Sequence, residues 1–206
     1  MADLSKSAGL ALVEVLCRDE SIDSLVNNAG IAHCMPFATL TSEKLDELLN
    51  VNTVAAVRLT HAALPRMLER KRGAIINVAS LLAFSGPMRL PNLPIRATYA
   101  ATKAFLVAFT QVLASELEGT DVKLQVVCPG LVVSAFQSRQ GLDMSARPRL
   151  SADDLVKGSL ADLDAGLLVS IPTLEDLQEF GSIEAAQAKV LSHALRPLLA
   201  SRYTAA

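Results

Sequence analysis

The chain has no CxxC pair and only three cysteines, Cys17, Cys34 and Cys128, an odd number set beside apolar residues. This argues against a structural zinc and for a reducing compartment. No His/Cys/Asp/Glu spacing suggests a metal-ligand set. Charge of one sign is not in excess, because 19 basic and 21 acidic residues are spread along the chain for a net charge of -2. A bulk electrostatic partner such as nucleic acid is therefore not expected. Long apolar runs are also missing, and the opening "MADLSKSAGL" carries an acid before its first base. Neither a signal peptide nor a transmembrane helix is expected, which makes a soluble cytoplasmic protein with no membrane partner the default. No repeat or low-complexity tract interrupts the sequence.

What is present is apolar surface. Apolar residues make up 51% of the 206-residue chain, enough for one globular domain, residues 1–206, with a sizeable core. Short β-rich runs ending in turn chemistry recur at "DSLVNNAG" (23–30), "GAIINVAS" (73–80), "VKLQVVCPG" (122–130) and "GLLVSIP" (166–172). Their continuous hydrophobicity predicts strands covered on both faces, as in a parallel sheet.

Helical stretches lie between these runs. "SKSAGLALVEVLCRDE" precedes the first, and "TSEKLDELLNVNTVAAVRLTHAALPRMLERK" follows it, with Thr41 and Lys44 bracketing an N-cap region and Pro65 expected to kink or interrupt the second half. A third helix is expected from about Tyr99 to Glu118, stopping near Gly119, and a fourth from about Ser151 to Ala165. The alternation predicts the α/β class with a doubly wound parallel sheet. Residues 135–150 read as a mobile loop. The tail, about 183–201, reads as an amphipathic helix that packs against the sheet or a partner subunit.

In an open parallel sheet ligands bind outside the carboxyl ends of the strands. The informative residues stand there: "NNAG" ends the first run, Ser80 the second, and Pro129-Gly130 the third. In "TYAATKAF", Tyr99 and Lys103 are four residues apart and share one helix face. A free phenol titrates near ~10 and a neighbouring cation favours the phenolate, so the pair is suited to proton donation and acceptance near neutral pH. An isolated pair of this kind more often packs its ring and snorkels its amine; the ordered set of strand ends around it tips the reading towards chemistry.

Taken together, these segments resemble the short-chain dehydrogenase/reductase family, single-domain enzymes that pass hydride between a nicotinamide dinucleotide and a carbonyl or alcohol. The resemblance covers nearly the whole chain and rests on "NNAG", Asn52 in "NVNTVAAVRLTHAALPRM", "GAIINVAS", "YAATK" and "CPGLVVS". It implies a Rossmann-like sheet, NAD or NADP as cofactor and a small-molecule carbonyl or alcohol as substrate. It makes Tyr99 the general acid/base, Ser80 a hydrogen-bond donor to the substrate oxygen, Lys103 a residue that lowers the pKa of Tyr99 and grips the nicotinamide ribose, and Asn52 the holder of a relay water. Asn27, Ala29 and Gly30 would line the cofactor floor. Pro129, Gly130 and Val132 would meet the nicotinamide, Ser134 its carboxamide or the pyrophosphate, and Asp3 the adenine. A homodimer or homotetramer is implied through the helices from about Asp46 to Leu68 and from Tyr99 to Glu118.

Two departures from the family pattern stand out. No TGxxxGxG turn precedes "NNAG", so the reading is of an N-terminally truncated Rossmann-like domain whose first two strands are absent, with a raw strand edge and weak dinucleotide binding expected. A non-catalytic remnant serving as an interaction or regulatory module is the alternative. The Ser80-to-Tyr99 segment is also longer than the family commonly has; its "FSGPMRLPNLPIRAT" is expected to run as a stiff, extended excursion, and Ser85 is a rival to Ser80. His33 and Cys34 read as loop residues packed beside Met35 and Phe37, His61 as a helix residue, His193 as a surface residue, and Arg139, Arg147 and Arg149 as solvated charges.

Overall fold

Four strands, β1 (Ser24–Asn27), β2 (Gly73–Val78), β3 (Val122–Val127) and β4 (Val169–Ser170), lie side by side in chain order, every neighbouring pair parallel. The computed structural model describes residues 2–19, 22–86, 88 and 96–203. They fall into two compact units, Met1–Pro172 and Thr173–Ala206. The first holds the sheet and the helices α1 (Ser7–Cys17), α2 (Ser42–Leu49), α3 (Ala55–Glu69), α4 (Ala97–Glu116), α5 (Ala135–Ser138) and α6 (Ala152–Asp164). The second holds α7 (Leu177–Ala194), none of whose residues is buried. Its bounds begin and end earlier than the expected 183–201. The three prolines of the long segment before Tyr99, Pro87, Pro91 and Pro94, lie outside the described residues.

Both faces of the sheet are covered, which explains the continuous hydrophobicity of the strand runs. On β2, Ile75 packs on one face with Leu10, Leu59 and Met67 of α1 and α3. Its neighbour Ile76 points the other way and packs with Val127 and Leu163 of α6. The sheet is therefore doubly wound, as expected. Its strand order does not reverse, so β1 pairs with β2 alone and forms an edge on which Val26 is 54% exposed.

Three local readings change in the structure. The long helical stretch after β1 is not a plain α-helix: between α2 and α3 it widens into a π turn, Asn50–Val54, in which the Ala55 N–H reaches back to the Asn50 carbonyl. Pro65 does not end α3, which runs on to Glu69. Pro65 and His61, the residue whose carbonyl loses its donor, are both exposed, so water can replace the missing bond. The segment after Ser134 is not loop throughout, since its first turn is α5 and a Val132–Leu150 bridge closes it.

A polar network runs through the core beneath the strand ends. Asn27 and Asn77 are register partners on β1 and β2. The Asn27 amide donates to Asn77 Oδ1 at 2.8 Å and to Thr60 Oγ1 at 3.1 Å, and the Asn77 amide donates to Thr110 Oγ1 at 2.8 Å. The Thr110 hydroxyl donates in turn to the Leu106 carbonyl at 2.7 Å. Two strands and two helices are thus joined by groups that water does not reach. Replacing Asn77 by Ala strands a donor on Asn27 and an acceptor on Thr110, and is expected to destabilise the fold by about 2–3 kcal/mol. A shift in the urea midpoint with unchanged slope is the measurement; no shift would show that the network carries little stability.

Candidate active site

The carboxyl ends of β1, β2 and β3 open on the same side, and α4 starts beside them. Its buried face carries Tyr99, Thr102, Lys103, Leu106, Thr110 and Leu113, a stripe at helical spacing. By length and composition α4 could cross a bilayer, the one such helix among the described residues, yet Tyr99, Thr102, Lys103 and Thr110 are buried inside the protein. Its end is set at the residue pair Leu117 and Gly119, where Gly119 takes a φ of +81° that a side chain would strain.

Asn52 ties the site together from within the π turn. Its Oδ1 accepts from the Ile31 N–H at 2.9 Å and its Nδ2 donates to the Ile31 carbonyl at 2.9 Å. The remaining amide proton goes to Thr102 Oγ1 at 3.1 Å, and the Thr102 hydroxyl donates to the Tyr99 carbonyl at 2.8 Å. The loop after β1 is thereby fixed to the first turns of α4. The Asn27 side chain, in contrast, is held in the network below the site, so only its backbone borders the strand end.

Ser80 follows β2 with extended backbone and caps the short 3-10 turn Leu81–Phe84, its Oγ accepting from the Leu82 N–H at 3.2 Å. Its side chain lies near enough to the Tyr99 phenol to favour the ionised form. Ser85 donates to the Leu82 carbonyl at 2.8 Å within that turn. The structure therefore brings Ser80, the strand-end serine, to the phenol. Burial pushes the Tyr99 pKa above its ordinary value, opposed by the Ser80 side chain and by the charge of Arg96. Lys103 does not act on the phenol in the expected way. Its Nζ lies 5.7 Å from the ring centroid and donates to the Val78 carbonyl at 2.8 Å.

Lys103 is 4% exposed. Burial lowers its pKa from 10.5 to about 8, and the nearby Cys128 works the other way. The Cys128 thiol, also buried, is pushed up to about 12. Gly30 lies directly over this amine: a Cβ there would stand 3.4 Å from Lys103 Nζ and 3.6 Å from Asn52 Oδ1. The glycine leaves a cradle at the strand end in which two of the three ammonium protons have no partner among the described side chains. That donor set fits the hydroxyls of a ribose.

The remaining expected residues are more dispersed. Pro129 accepts from the Leu81 N–H at 3.0 Å, and Gly130 faces Leu81, so the third strand end abuts the serine turn. Val132 bridges Leu150, and Ser134 caps α5, accepting from the Phe136 N–H at 3.3 Å. Ala29 is exposed. Asp3 is exposed and holds its own turn, its Oδ1 accepting from the Ser5 N–H at 2.9 Å and hydroxyl at 2.7 Å.

Residues that the sequence did not single out also reach Tyr99. The Phe136 ring stands 5.9 Å from the Tyr99 ring, and the Arg96 guanidinium 5.8 Å from its centroid. His33, Met35, Phe37, Leu48 and Arg96 line a hollow with Tyr99. Cys34 donates to Gln140 Oε1 at 2.9 Å beside Arg96. The available signal for Arg96 was its place three residues before Tyr99, at the mouth of the helix.

The comparisons agree with one another. The family model for short chain dehydrogenase matches residues 4–144. Among curated proteins, the chain is 38% identical over 136 residues to the inactive 2-(S)-hydroxypropyl-CoM dehydrogenase 2 of Xanthobacter autotrophicus, covering 66% of this chain and 56% of that protein. It is 38% identical over 112 residues to the very-long-chain 3-oxoacyl-CoA reductase of Laccaria bicolor, covering 53% of this chain and 31% of that protein. Among solved structures, a short-chain dehydrogenase from Sphingobium yanoikuyae in complex with NADPH superposes with a TM-score of 0.90 at 33% identity, covering 98% of this chain and 78% of that one. The matched region thus spans about half or less of these curated relatives.

The buried amine makes a thermodynamic prediction. Lys103 releases its proton near 8 when folded and near 10.5 when unfolded, so the unfolded chain binds more protons between these values. The stability that Lys103 contributes therefore rises with pH across that window, by about 3 kcal/mol in all. Cys128 works oppositely above its ordinary value of 9.0, since its folded thiol holds its proton longer. The interval from pH 8 to 9 isolates the lysine. Denaturant unfolding there is expected to show stability rising in the wild type and flat in Lys103→Met; parallel pH curves would contradict it.

Proposed function

The chain belongs to the short-chain dehydrogenase family, and we propose on that footing that its site passes hydride between NAD or NADP and a small-molecule carbonyl or alcohol. The observation that carries this reading is the convergence of Ser80 and the Tyr99 phenol at the mouth of the sheet, with Lys103 buried beneath Gly30. The NADPH complex of the Sphingobium yanoikuyae protein supports the cofactor class.

The bound dinucleotide supplies the hydride. In carbonyl reduction, Tyr99 Oη gives its proton to the substrate oxygen as negative charge develops there, and Ser80 donates a second hydrogen bond to the same oxygen. In alcohol oxidation Tyr99 takes the proton instead. The raised pKa of Tyr99 keeps the phenol protonated at neutral pH, a state suited to the reductive direction. Lys103 would hold the ribose hydroxyls through its two free protons, and its charge would favour the phenolate. Asn52 positions Tyr99 through Thr102 and holds a relay water from the π turn, whose widened bonding leaves backbone groups off the regular ladder. Gly30, Ala29, the backbone of Asn27, and Pro129, Gly130, Val132 and Ser134 border the cofactor, with Asp3 towards its adenine end.

The test is steady-state turnover of ketones and alcohols with NADH and NADPH, beside calorimetric titration of each dinucleotide. Tyr99→Phe is expected to lower kcat by about 10²–10⁴-fold while dinucleotide affinity stays within about threefold. Turnover unaffected in Tyr99→Phe would overturn the assignment.

The same reading includes self-association through α3 and α4. On α4, Phe105 is 44% and Val112 61% exposed, and Phe105 stacks on Phe109 with ring centroids 6.0 Å apart. Such a surface is suited to a second copy of the same helix pair. Sedimentation of the wild type should give a dimer or tetramer, and Val112→Glu a smaller species; identical profiles would remove this interface.

A further inference from the structure

We infer that Arg96 sets substrate specificity by holding an oxyanion group, a carboxylate, phosphate or sulfonate, carried by the carbonyl or alcohol that Tyr99 works on. The inference deepens the proposed function and rests on it.

Arg96 is the residue that opens α4, and its guanidinium carbon is 5.8 Å from the centroid of the Tyr99 ring. Its Nε is shielded from solvent and has no hydrogen-bond partner among the described residues. An unmet charged donor in such a place is costly. Tyr99 and Arg96 share the walls of one small hollow with His33, Met35, Phe37 and Leu48, so the guanidinium and the phenol border the same space. The rest of the wall is mostly apolar.

Among the described residues, neighbouring charges give this cation no counterion. No ion pair among the described residues includes Arg96. Glu47 is the carboxylate on this side, and it faces His33 at 3.2 Å with its side chain 47% exposed. Cys34 lies near enough to the guanidinium to feel its charge, and gives its own proton to Gln140. The start of α4 adds to the field: no side chain caps it and its first turn holds no acid. A guanidinium binds an oxyanion through two parallel N–H bonds. A substrate with its anionic group there and its carbonyl at Tyr99 Oη would be held at both ends, with its apolar part along Met35, Phe37 and Leu48.

The test compares a 3-oxo acid with its neutral methyl ester in the wild type, Arg96→Gln and Arg96→Lys, after circular dichroism has established that each variant folds. The ratio of kcat/KM for anion over ester is expected to fall at least about tenfold in Arg96→Gln and less in Arg96→Lys, the ester losing less than the anion in each. An unchanged ratio, or equal losses on both substrates, would overturn the role. A second readout does not need turnover. The chain has no Trp and two Tyr, so Tyr203→Phe leaves Tyr99 as the sole emitter. Titration of that variant with acetate, inorganic phosphate and methanesulfonate should perturb the Tyr99 spectrum saturably for at least one anion, and the change should vanish on adding Arg96→Gln. If neither ketone reacts, the reaction assignment fails, and this titration alone decides for or against Arg96.

Discussion

The side chain of Asn52 is the constraint on which the site depends. By bonding both backbone groups of Ile31 it behaves like a short piece of strand, and its last proton reaches the helix that carries the phenol. The loop after β1, the π turn and the start of α4 can then keep only one mutual arrangement. An asparagine suits the task because a planar amide offers a donor and an acceptor side by side. The π turn is what lets that amide face inward.

Around this clamp stand two cations, Lys103 and Arg96, that form no ion pair among the described residues. Lys103 leans on the Val78 carbonyl. Arg96 faces an aromatic ring and a thiol. In a low-dielectric setting such charges keep their full reach, and the phenol between them is held protonated by burial while being open to both. The chemistry thus follows from what is missing around the side chains as much as from what touches them.

Much of this was legible in the sequence. Continuous apolar runs gave the two-faced parallel sheet, and the strand-end rule led to Ser80, Gly30 and the Pro129-Gly130 pair. Tyr99 and Lys103 were readable because helical spacing is rigid. The direction of the Tyr99 shift was not, because burial outweighs a neighbouring cation and burial is a property of the packed fold. The Asn77–Thr110 network was equally hidden: a threonine on an apolar helix face carries no mark of the strand it meets. Nor does composition reveal a π turn, since the α2 and α3 sequences are both good helix formers and the widening answers to the Ile31 loop. Strand β4 shrank to two residues of its expected run, since β3 offers it partners only at Val126 and Val127.

The strand order β1-β2-β3-β4 also bears on how the fold is reached. Each of these strands pairs with the one before it in sequence, across a helical crossover. Loop closure is then confined to neighbouring segments, where its entropy is smallest. Ser80 and Tyr99 both lie in the crossover from β2 to β3, so the phenol and its serine are brought together by a closure local in sequence.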